Sequence, residues 1–131
     1  MTSKIQYKQI VVSHIEHNVC LFHMVESNLR NEELFIIGLA QFIEFAEYIK
    51  PTYVIFDRTS LNYKVPDILI GHFKKFGIDI FYKLGVKSIF LIADANHELN
   101  ADLKKEISTF TSIEDCLAFI KKQKNIMLES L

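Results

Sequence analysis

The chain has 131 residues, half of them hydrophobic, with only 4 Gly and 2 Pro, which is enough apolar material for one compact domain over 1–131 and requires no second. Its formal net charge of −1 supplies no global field toward nucleic acid or an anionic membrane. The opening Met1-Thr2-Ser3-Lys4-Ile5 lacks the apolar core of a secretory signal, and no run approaches the roughly 20 residues of a membrane helix, so a cytoplasmic protein is expected.

Residues 8–15 and 19–25 read as two extended stretches separated by the short polar Glu16-His17-Asn18, the pattern of an antiparallel hairpin. Asn31, followed by Glu32 and Glu33, predicts a helix start with acids in the first turn, and Pro51 sets its end near Lys50. The run Tyr53-Val54-Ile55-Phe56 is short, β-branched and aromatic, as a strand buried on both faces requires; it ends in Asp57. A polar loop follows to Pro66, which suits the first turn of a second helix reaching about Leu84, with Leu69, Phe73, Phe76 and Ile80 as its apolar stripe. Gly77 weakens that helix, and Gly85 is placed to cap it.

A second buried strand at 86–93 contains Ile89-Phe90-Leu91-Ile92-Ala93 and is also followed by an aspartate, Asp94. Helical character is expected at 98–106, a short strand at 108–111, and a last helix opened by Ser112 and Asp115 and packed through Ile113, Cys116, Leu117 and Ile120. The lysines Lys121, Lys122 and Lys124 would sit at its carboxyl end, offsetting the helix dipole. The order ββαβαβαβα predicts an α/β fold: a mixed, mostly parallel sheet of about five strands opened by an antiparallel hairpin, with right-handed crossovers placing helices on both faces.

In this order of elements, the stretches Lys50-Pro51-Thr52-Tyr53-Val54-Ile55-Phe56-Asp57 and Lys83-Leu84-Gly85-Val86-Lys87-Ser88-Ile89-Phe90 resemble the small STAS-type, SpoIIAA-like domains related to anti-sigma-factor antagonists. The resemblance implies a five-stranded sheet with flanking helices and a role in protein association or regulation. Members that act as phosphorylation switches carry an Asp-Ser-Ser-Gly-like segment, whereas this chain reads Asp57-Arg58-Thr59-Ser60-Leu61-Asn62, without the glycine.

Ligand sites of open α/β sheets lie beyond the carboxyl ends of the strands. Asp57, Arg58, Thr59, Ser60, Tyr63, Lys64 and Asp94 are therefore the candidate binding loops, with Thr59 and Ser60 the hydroxyls available to a phosphorylation switch. The aspartates also serve as ordinary loop starters. His14 and Glu16 share a strand face, with His23 expected diagonally across the hairpin, but three or four converging ligands are needed for zinc; no metal or cofactor is expected. Cys20 and Cys116 read as buried small hydrophobes.

On the helix at 31–50, Phe35, Leu39, Phe42, Ala46 and Ile49 form a core stripe, while Leu34, Ile37, Phe45 and Tyr48 make a second apolar series suited to an interface. With no GxSxG, Walker A, HExxH or dinucleotide glycine pattern, the expectation is a non-catalytic regulatory or interaction module, partnered by a second copy or another protein. The other reading is a carrier of a small apolar or acidic molecule bound by the strand-end loops. Neither nucleic acid nor membrane is an expected partner.

Overall fold

The computed structural model describes residues 3–6, 10–24, 32–58, 71–93 and 107–129. They form an α/β fold whose six strands lie in sequence order: β1 (Ser3–Gln6), β2 (Ile10–Ile15), β3 (Val19–Met24), β4 (Tyr53–Asp57), β5 (Ser88–Ile92) and β6 (Ile107–Phe110). The first two pairings are antiparallel and the remaining three parallel. Beside the five expected strands, the short β1 adds an edge.

Among the described residues three helical segments cover the sheet: α1 (Glu32–Ile49), a π-helical turn (Lys74–Ile78) running into α2 (Asp79–Lys83), and α3 (Ile113–Glu129). Strands β3, β4 and β5 step the same way along the sheet, so crossovers of one hand place α1 and α2 on the same face. Leu39, Phe42 and Ala46 of α1 and Phe81 of α2 pack there against Cys20, Phe22, Val54, Phe56, Ile89 and Leu91. Phe42 is the centre of this layer, with ring centroids 4.7 Å from Phe22, 5.3 Å from Phe56 and 5.2 Å from Phe81. The opposite face belongs to α3, whose Cys116 and Ile120 meet Val19, Tyr53, Ile55, Phe90 and Ile92. Helices do occupy both faces, but it is the final helix, not the α1 and α2 crossovers, that covers the second.

Several sequence cues have the geometry expected of them. Ser112 Oγ accepts from the Asp115 backbone N–H at 3.1 Å and so caps α3. Gly85, at φ +97°, closes α2: its N–H donates to Tyr82 O and the Val86 N–H to Phe81 O, the paired bonds of a Schellman ending. Helix α1 starts at Glu32, while its expected cap Asn31 lies outside the described residues, as does the helical segment at 98–106.

Three expectations are corrected. The second helix buries Gly77, Ile78 and Phe81 and leaves Phe76 exposed. Its π turn closes with the Asp79 N–H on Lys74 O, and the wider turn carries one more residue, which moves the stripe from 76 and 80 to 77 and 81. Phe45 is only 7% exposed and belongs to the core, because it lies about 60° around the helix from Phe42, on the flank of the buried face rather than opposite it. Lys121, Lys122 and Lys124 are exposed but lie inside α3, which continues to Glu129 with no basic residue in its last turn; they do not offset its dipole.

Candidate functional site

At the carboxyl ends of the parallel strands the register sets four residues in one row across the α3 face: His23 of β3, Asp57 of β4, Ile92 of β5 and Phe110 of β6. Strand alternation puts them there. Val19 and Leu21 precede His23 on that face, and Tyr53 and Ile55 precede Asp57, so each apolar series ends in a polar side chain. The sheet's hydrogen bonding continues one step past the strands, through Arg58 N–H to Ile92 O and Ala93 N–H to Phe110 O, both 3.0 Å.

His23 Nδ1 and Asp57 Oδ2 are 2.6 Å apart, with the Asp57 side chain 3% exposed and that of His23 30%. Burial of a carboxylate without a partner is costly; a close charge-assisted hydrogen bond offsets that cost. Since a carboxylate only accepts, Nδ1 carries a proton and donates in this bond. The imidazole thus has a fixed orientation, and its Nε2 makes no hydrogen bond to any described residue.

Of the strand-end residues selected from sequence, Asp57 and Arg58 are described. Thr59, Ser60, Tyr63, Lys64 and Asp94 lie outside the described residues. The signal for His23 was present but required the β3–β4 register: the last inward-facing residue of one strand lies beside the last of the next. Without that register, His23 read only as a hairpin histidine.

The hairpin does not bring the histidines together. His14 pairs with Cys20 and so lies on the α1–α2 face, opposite His23, where its Nε2 donates to Asn18 Oδ1 at 2.8 Å. His72 stacks on Phe76, ring centroids 4.8 Å apart. Among the described residues no three His, Cys, Asp or Glu converge on a point. Cys20 and Cys116 are buried on opposite faces, and burial pushes both thiols up to about 12.

On α1, Ile37 is 51% and Tyr48 86% exposed, Phe45 is core, and the side chain of Leu34 lies outside the described residues. No described helix is long and apolar enough to cross a membrane. In comparisons with family models, curated proteins and solved structures, the chain matches none.

Proposed function

We propose that this chain is a non-catalytic interaction module of STAS-like type that acts by associating through the outer side of its α1–α2 layer, with a second copy of itself as the partner. One observation carries the reading: of the six large hydrophobic side chains exposed among the described residues, Ile36, Ile37, Tyr48, Phe76 and Tyr82 belong to helices on this one face, and only Phe119 to the other. Scattered exposed apolar residues would not favour a face. Two-fold homodimers are the commonest oligomers, and a net charge of −1 opposes self-association little. Light scattering of the purified protein at high micromolar concentration tests this. A dimer converted to a folded monomer by Ile37→Glu with Tyr48→Glu is the expected result; a parent protein that is already monomeric removes the proposal.

The small-ligand reading is favoured by a different feature, the His23–Asp57 pair at the strand ends. Native mass spectrometry separates the two: a retained small molecule supports the carrier, and doubled mass without one supports the dimer.

A further inference from the structure

We infer that His23 is a modification site, its Nε2 accepting a phosphoryl group from a small acyl-phosphate donor; this is independent of the α1–α2 surface. The buried Asp57 carboxylate accepts from Nδ1, so in the neutral form of the ring the lone pair lies on Nε2, and the ring is partly open to solvent. An oriented histidine of this kind serves a metal, relays a proton to a neighbouring nucleophile, or is itself the nucleophile. Metal binding needs further ligands, and no described set converges. A relay needs a hydroxyl or thiol on Nε2; no described residue bonds it, and Cys20 is packed into the opposite face. Direct nucleophilic attack requires no further protein group on Nε2, and the His23–Asp57 pair supplies the orientation for it.

In that step the Nε2 lone pair forms a bond to phosphorus as the bond from phosphorus to the acyl oxygen breaks. The carboxylate leaves with the electron pair, and nothing is oxidised or reduced. The ring becomes cationic with its Nδ1 proton still held by Asp57, so the positive charge lies between the carboxylate on one side and the phosphoryl dianion on the other. A neutral acyl adduct would have only the first of these partners, which favours phosphoryl transfer.

The test is to incubate the protein with potassium phosphoramidate, in which ammonia replaces the carboxylate as leaving group, and to map the acid-labile phosphate by mass spectrometry at neutral to alkaline pH. Labelling of His23 is expected to be at least about tenfold faster than that of His17 or His72, which have no carboxylate partner among the described residues. H23Q should remove it, and D57N should slow it by a similar factor. No label, label spread evenly over the histidines, or an unchanged rate in D57N overturns the inference. Should D57N fail to fold, nitrogen NMR of the unmodified protein decides: the neutral ring must carry its proton on Nδ1, and a proton on Nε2 refutes the assignment.

Discussion

Asn18 ties the β2–β3 turn to the end of α1 and the start of β4. Its Oδ1 accepts from His14, its amide donates to Lys50 O at 3.0 Å and Thr52 Oγ1 at 3.1 Å, and its own carbonyl accepts from Thr52 and Tyr53. The backbone there is left-handed, with φ 64° at His17 and 58° at Asn18, a region that asparagine and histidine tolerate well. Lys50, at φ 55°, has no such preference. Asn18→Ala should therefore cost on the order of 2–4 kcal/mol in urea unfolding, combining lost bonds with left-handed strain, whereas Asn18→Gly loses only the bonds and should cost roughly half as much. Lys50→Gly should stabilise by up to about 1 kcal/mol, and a loss of stability would mean that the left-handed conformation is not strained. The hairpin itself was legible from Glu16-His17-Asn18. The bridge from Asn18 to the start of β4 was not, because it depends on which strand lies beside β3.

The second helix shows how one residue changes a face. Its sequence spacing fits a regular helix burying 76 and 80, and Gly77 reads there only as a weakness. In the fold that glycine lies in the π turn and admits close packing: a Cβ at 77 would sit 3.1 Å from Phe73 Cδ1 and 3.4 Å from both Leu39 methyl carbons. Larger side chains have no room between the two helices. Gly77→Leu should cost about 1–3 kcal/mol through overpacking, measured by thermal or denaturant unfolding, while Gly71→Ala, with no atom of the described residues within 4 Å of its Cβ, should be neutral or stabilising. Equal effects at the two positions would show that the contact with Leu39 is unimportant. Caps were the more legible part of the helices, since Ser112 and Gly85 act through local backbone geometry that sequence spacing records. The π turn is set by tertiary packing and leaves no equivalent sequence mark.

At the scale of the molecule, the buried strands β4 and β5 were evident from composition because a strand covered on both faces is apolar throughout. Which helix covers which face was not, since it follows from the strand order; the same order sets His23 against Asp57 and His14 away from both. The two faces nevertheless share one chemical property: each contains a buried thiol, Cys20 of β3 under α1 and α2 and Cys116 on the sheet-facing side of α3. Burial raises both from 9.0 to about 12. Below pH 9 the thiols are protonated whether the chain is folded or not, and their contribution to stability is fully present. Above it the unfolded chain releases these protons while the folded chain keeps them, so stability must fall as pH rises from 9 toward 12, by at most about 1.4 kcal/mol per pH unit for each thiol. Tyrosines and lysines titrate in the same range, so the comparison that isolates the thiols is the parent against Cys20→Ala with Cys116→Ala. The double variant should be less stable at pH 8, from the atoms removed, and lose stability less steeply between pH 9 and 11. Parallel slopes in urea titrations across that range would show that the two thiols ionise alike in the folded and unfolded chain.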